Sequence, residues 1–248
     1  MSKSYVILGS LSGLARAICE ALARRGEQLV LVARSREELS IQAADLRTRF
    51  GVSVHAIAAD ASALETMGAL PDQCLASLSG RAPDGVILCW GVMFDQGEAE
   101  RDPVRIRTLF EVNLTSAAIV LQGFANQMRA DGVLAGISSV AGDRGRGSNY
   151  LYGATKAGLT ALLDGMRHRF HSTGPHIITV KPGFIATPMT HGLVNPDSPL
   201  CAHPAQVAAD ILRAIDRRES TLYTLWPWRW VMAVIRSLPE RIFLMTKL

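Results

Sequence analysis

The sequence predicts an α/β fold, a doubly wound parallel sheet of about seven strands with helices on both faces. Three observations carry that expectation. Short β-branched or apolar runs alternate with longer segments of helical period, the pattern of a parallel sheet covered on both sides. The first apolar run ends in a glycine-spaced turn that leads into a helical pattern. No linker rich in Pro, Ser or Gly and no charge block interrupts the 248 residues, and one α/β domain can use a chain of that length.

In chain order, strands are expected near residues 4–9, 28–33, 52–58, 84–89, 132–138, 176–181 and 220–224. Helices fill the gaps. Segments 13–25, 36–50, 104–130 and 151–172 repeat apolar residues at three- and four-residue steps. With 48% hydrophobic residues the chain can bury a large core. The formal charge of +4 is spread along the chain without the clustering a nucleic-acid footprint requires, so that class of partner is set aside. Cys19, Cys74, Cys89 and Cys201 lack metal-ligand spacing and are expected to be reduced core thiols. The first residues lack the basic region and apolar stretch of a secretory signal, which points to the cytoplasm.

Ligands in such sheets bind beyond the carboxyl ends of the strands, and the residues there are informative. Gly9, Ser10, Leu11, Ser12, Gly13 and Leu14 read as a dinucleotide-binding turn. Glycine lets the backbone bend and approach a pyrophosphate, and amides opening the next helix face the anion. A single-domain Rossmann fold follows. After the second strand, Ala33-Arg34-Ser35-Arg36 stands where an acid would bond the ribose 2′-hydroxyl. A small residue followed by arginine leaves room for a 2′-phosphate and offers it a guanidinium, which favours NADP(H). The alternative is an arginine on a solvated loop. Asp60, followed by Ala61, could accept from an adenine amino group or serve as a helix N-cap.

Tyr152 and Lys156 lie one helical turn apart, with Ser139 thirteen positions before the tyrosine at the end of an apolar run. A phenol titrates near ~10, so it shuttles a proton at neutral pH only where a positive charge stabilises the phenolate. Lysine at i+4 is expected to supply that charge.

Together these residues resemble the short-chain dehydrogenases/reductases, from Tyr5 to about Thr190. The glycine turn, Asp60, Asn113 in Glu-Val-Asn-Leu-Thr-Ser, Ser139 in Ile-Ser-Ser-Val-Ala-Gly, the Tyr152/Lys156 pair and Lys-Pro-Gly-Phe-Ile-Ala-Thr at 181–187 carry the likeness. It implies a catalytic set of Asn113, Ser139, Tyr152 and Lys156. Tyr152 would protonate the substrate oxygen, Ser139 would hydrogen-bond that oxygen, Lys156 would lower the phenol pKa and hold the nicotinamide ribose, and Asn113 would hold a water. Ser138 is the rival to Ser139. The likeness also places Gly91, Pro182, Gly183, Ile185 and Thr187 at the cofactor. The chain departs from the family at Leu8, at Ala15, and at Leu88-Cys89-Trp90-Gly91, where the family has Asn-Asn-Ala-Gly. Trp90 is expected to fill that space.

Residues 1–225 are accordingly read as one cofactor-binding and catalytic unit with a substrate loop at 187–203, and 226–248 as an apolar Trp/Arg extension that is not a separate domain. No charged clamp for a substrate stands out. Met189, Leu193 and Val194 suggest an apolar wall, and His191 reads as a loop residue. Trp226, Trp228 and Trp230 interleave with Pro227 and Arg229, and charges interrupt the tail too often for it to span a bilayer. It could lie on a membrane, at its inner face, or pack across a subunit interface. The tail is similar to those of bacterial reductases of lipid-linked keto-sugars. The expected activity is NADPH-dependent reduction of a ketone on a hydrophobic or lipid-linked substrate by a homodimer or homotetramer. The alternatives are a soluble reductase of acyl or small ketones and a non-catalytic NADP-binding sensor or scaffold.

Overall fold

The computed structural model describes residues 2–190, 192, 195 and 197–246. His191, Leu193 and Val194 of the expected substrate wall lie outside the described residues. Strands β1 (Ser4–Leu8), β2 (Gln28–Ala33), β3 (Val54–Ala58), β4 (Gly85–Leu88), β5 (Val133–Ile137) and β6 (His176–Pro182) alternate with helices. The helices are α1 (Gly13–Arg24), α2 (Arg36–Phe50), α3 (Leu64–Met67), α4 (Leu70–Ser77), α5 (Gln96–Ala99), α6 (Pro103–Phe110), α7 (Ser116–Gln127) and α8 (Tyr150–Phe170). The short strands β7 (Phe184–Ile185) and β8 (Cys201–Ala202) follow, then α9 (Pro204–Arg217), β9 (Thr221–Thr224), α10 (Pro227–Ser237) and α11 (Glu240–Phe243).

Seven strands form one parallel sheet in the order β3-β2-β1-β4-β5-β6-β9, as the alternating pattern predicts. β1, β4 and β5 are buried along nearly their whole length because helices cover both faces. Successive side chains point to opposite faces. Ile7, Leu29, Leu31 and Ile87 pack with α1, α2 and α9 through Ile18, Leu46, Val207 and Ile211. Val6, Val30, Val86 and Leu134 pack the other way, with Leu121 and Phe124 of α7 and Leu159 and Leu163 of α8. Strand order reverses between β1 and β4, the place where such sheets open a ligand crevice.

Three features differ from the sequence reading. The helix expected at 104–130 is broken into α6 and α7 by a π-turn at Glu111–Thr115, and that extra residue per turn carries Asn113 inward to 1% exposure. β7 and β8 pair as a small separate sheet. The tail also folds back: Trp228 and Met232 of α10 are buried in a third cluster with Val140, while Trp226 and Trp230 are 73% and 65% exposed. The four cysteines are free thiols, and Cys19, Cys74 and Cys201 are buried.

Candidate active site

The turn after β1 is shaped by Gly9, whose φ of +84° is costly for any residue with a Cβ. A Cβ there would also lie 2.7 Å from the backbone nitrogen of Trp90, which follows β4. Gly9 and Ser10 both donate their amides to the Val32 carbonyl, at 2.8 and 3.0 Å. Ser10 is fully buried and exchanges hydrogen bonds with Gln42 of α2, its hydroxyl donating to Oε1 and its carbonyl accepting from Nε2, both at 3.0 Å. Ser10 therefore braces the turn against α2, its hydroxyl already spent on Gln42. Ser12 caps α1 by accepting from the Ala15 amide at 3.2 Å. The amides of Leu11, Gly13 and Leu14 have no acceptor among the described residues, although the Leu14 side chain is buried. Three unpaired donors at a helix start, beside a glycine that cannot carry a side chain, fit a pyrophosphate. Thr187 closes the far side: a Cβ on Gly13 would lie 3.2 Å from its methyl group.

Arg34 is exposed just past β2 and bonds no residue among those described. Ser35 caps α2 through the Glu38 amide at 3.2 Å. Arg16, which the sequence reading passed over, sits on the same side: its Nε donates to the Leu11 carbonyl at 3.0 Å, and its Nη2 lies 3.5 Å from Glu38. Its spacing from Gly13 was the signal available. The Ala59 amide donates to the Ala33 carbonyl at 2.9 Å, bringing Asp60 next to this region. Asp60 Oδ1 accepts from the amide and hydroxyl of Ser62, both at 2.9 Å, so the residue makes a local turn and caps no helix. Ala61 is buried.

Asn113 Oδ1 accepts from the Val92 amide at 2.7 Å, while its Nδ2 donates to the Val92 carbonyl at 2.9 Å and to Thr155 Oγ1 at 3.1 Å. Thr155 in turn donates to the Tyr152 carbonyl at 2.8 Å, tying the π-turn to the first turn of α8. Gly91 lies between the groups: a Cβ there would sit 3.2 Å from Asn113 Oδ1 and 3.5 Å from Lys156 Nζ. Lys156 Nζ donates to the Ile137 carbonyl at 2.9 Å and lies 5.7 Å from the centroid of the Tyr152 ring. Ser138 is occupied, donating to the Lys156 carbonyl at 2.9 Å and meeting Thr160 Oγ1 at 2.8 Å. Ser139 accepts from the Ala141 amide at 3.1 Å and is the hydroxyl beside Tyr152.

Burial pushes the Tyr152 phenol up to about 12, against a smaller downward pull from Ser139. Burial also brings the Lys156 ammonium down to about 8, with Cys89 opposing. Desolvation dominates at the phenol, and the group that pulls against it is the Ser139 hydroxyl. At neutral pH the pair is a protonated phenol beside an ammonium, an arrangement suited to giving a proton to a developing oxyanion.

Pro182 ends β6 and is buried, and the Gly183 amide donates to the Thr224 carbonyl at 3.0 Å. The Trp228 indole covers Gly183, its Nε1 donates to the Leu200 carbonyl at 3.1 Å, and its ring meets Phe184 edge-on at 5.7 Å. Ile185 is 9% exposed and Thr187 half-buried. Lys181 and Tyr223 both bond the buried Asp143, at 2.6 and 2.8 Å. Trp90 packs on the core as expected, though its indole Nε1 is buried without a partner.

Residues 3–197 match the short chain dehydrogenase family. An uncharacterized oxidoreductase of Mycobacterium tuberculosis is 32% identical over 241 residues, covering 96% of this chain and 94% of that protein. An uncharacterized oxidoreductase of Streptomyces coelicolor is 33% identical over 244 residues, covering 97% and 94%. Among solved structures, the short-chain dehydrogenase from Sphingobium yanoikuyae in complex with NADPH superposes with a TM-score of 0.78 at 26% identity, covering 96% of this chain and 97% of that one.

Proposed function

Because the chain belongs to the short chain dehydrogenase family, and is thus an oxidoreductase acting between alcohol and carbonyl with a nicotinamide cofactor, we propose that it reduces a ketone to a secondary alcohol using NADPH. The observation that carries this reading is a protonated Tyr152 hydroxyl beside Ser139, one helical turn from a buried Lys156. Bound NADPH would supply the hydride. Tyr152 donates its proton to the carbonyl oxygen, and Ser139 donates a hydrogen bond to the same oxygen as charge develops. Lys156 stays ammonium at neutral pH, steadies the phenolate left behind, and bonds the nicotinamide ribose. Asn113 fixes the first turn of α8 through Thr155, and holds a water for proton return.

Leu11, Ser12, Gly13 and Leu14 hold the pyrophosphate in this reading, with Gly9 supplying the close approach. Asp60 and Ala61 border the adenine, while Gly91, Pro182, Gly183, Ile185 and Thr187 line the nicotinamide end. The unpaired Arg34 guanidinium, with Arg16 behind it, supports a 2′-phosphate and hence NADPH over NADH. The neighbour solved with NADPH supports the same choice.

The buried cluster of Val140, Trp228 and Met232, bordered by Leu200 and Tyr223, supports a hydrophobic or lipid-linked substrate. Residues 1–225 and the tail act as one unit here, since Trp228 covers a cofactor-side glycine. The opposite face of α10 presents Trp226, Trp230 and Val234 with Arg229, a composition suited to the headgroup boundary at the inner face of a membrane. α7 and α8 are the helices we assign to subunit pairing.

Following NADPH consumption across a panel of hydrophobic ketones tests the reading. Wild type should consume cofactor, and Tyr152→Phe should lose on the order of 10²–10⁴ in rate while still binding NADPH. Cofactor binding without consumption on any ketone would instead favour a sensor. Liposome flotation of the full chain against Trp226→Ser/Trp230→Ser tests membrane contact, and equal recovery of both would remove it.

A further inference from the structure

Five buried side-chain nitrogen or oxygen atoms lack a partner among the described residues, and three of them, Arg146 Nε, Asn149 Oδ1 and Gln96 Nε2, belong to residues tied to the start of α8 or to the turn that leads into it. Arg146 and Asn149 close one turn, in which the Asn149 amide donates to the Arg146 carbonyl at 3.2 Å. Gln96 reaches the first turn of α8, its Oε1 accepting from the Leu151 amide at 3.2 Å, one residue before Tyr152. Asn149 occupies the N-cap of α8, yet its side chain makes no capping bond. Buried polar groups are rarely left unpaired, because each costs the desolvation it does not recover.

The charges point the same way. Arg146 is half-buried and forms no ion pair among the described residues. The acid it feels, Asp143, is already bonded by Lys181 and Tyr223. Arg144, its neighbour in the loop, is spent on carbonyls at the end of α10, including Leu238 at 2.8 Å. Lys181 already balances Asp143, so Arg146 has no acid of its own among the described residues. A desolvated guanidinium with no anion is unfavourable until something brings one.

We propose that Arg146, Gln96 and Asn149 form a substrate subsite that receives an anionic group, a carboxylate or a phosphate, on the ketone that reacts at Tyr152. The guanidinium and the Gln96 amide donate to the anion's oxygens, and Asn149 Oδ1 accepts from a hydroxyl at the same end. The apolar cluster of Val140, Trp228 and Met232 flanks the same loop, so the substrate carries an apolar body beside its charge. Only the reaction at Tyr152 rests on the proposed ketone reduction; the binding does not.

Calorimetric titration of the full chain with octanoate, octyl phosphate and 1-octanol tests the subsite without any turnover. Wild type should bind at least one anion tenfold or more tightly than the alcohol, and whichever binds more tightly identifies carboxylate or phosphate. Arg146→Gln should bring anion and alcohol within about twofold, while Arg146→Lys keeps part of the preference. Equal binding of all three probes by wild type would overturn the subsite even if the glutamine variant fails to fold. A preference that survives in folded Arg146→Gln would overturn it too. Arg146-dependent anion binding by a protein that consumes no NADPH with the hydrophobic ketone panel or with any oxo acid would support the subsite and sink the ketone reduction instead.

Discussion

Trp228 fills the space above Gly183: a Cβ on that glycine would overlap the indole, and the indole nitrogen is held by the Leu200 carbonyl at 3.1 Å. A residue of the tail thus roofs the loop assigned to the nicotinamide end of the site, and the two positions must change together.

Gly183→Ala should therefore destabilise the protein by about 1–3 kcal/mol, the usual cost of forcing a methyl group into a packed site. For a chain of this size each kcal/mol lowers the melting temperature by roughly 2–4 °C, and thermal unfolding by circular dichroism reads the loss. Adding Trp228→Phe should recover part of it. A melting point unchanged by Gly183→Ala would mean that the tail does not sit there.

Lys156 makes stability and activity run in opposite directions with pH. Burial takes its pKa down to about 8 from the ordinary 10.5. Between those values the unfolded chain binds a proton that the folded chain does not, so this group's contribution raises stability as pH rises across the window. Its cost is fully present below about 8 and gone above 10.5. The ammonium needed at the ribose is lost over the same range, so kcat/KM for the cofactor, which reports the free enzyme, should fall about tenfold per pH unit above about 8. A flat profile to pH 10 would contradict the role given to this lysine.

Arg34→Asp should reverse cofactor preference. It removes a donor from the 2′-phosphate site and supplies an acid for a 2′-hydroxyl; charge-assisted hydrogen bonds of ~1.5–3 kcal/mol correspond to roughly ten- to a hundredfold in the KM for NADPH. Parallel kinetics with NADPH and NADH measure the swing, and unchanged selectivity would defeat the assignment.

Where the pattern is local, the sequence was a good guide. Both faces of each central strand are covered, so β1, β2, β4 and β5 read as unbroken apolar runs and lie within a residue or two of their expected places. The helix around Asn113 looked continuous because a π-turn changes the hydrogen-bond register without changing composition. β7 and β8, two residues each, are too short to show any period. The bracing of Ser10 by Gln42 was not legible, since that bond spans 32 positions and no local pattern records it. The three tryptophans could have been separated in advance: two-residue spacing on a helix places Trp226 and Trp230 on one face and Trp228 on the other. Arg146 left no such mark, because a loop carries no periodicity to reveal which of its charges turns inward.

Arg144 bonds the carbonyls of Ile235 and Leu238, which lie 91 and 94 positions further along the chain. The segment joining Ser139 to Tyr152 therefore cannot settle while a ribosome is still making the sheet; synthesis must pass residue 238 before its anchor exists. β9 completes the sheet from the same late stretch of chain, so the sheet's edge and the catalytic loop are both secured near the end of synthesis.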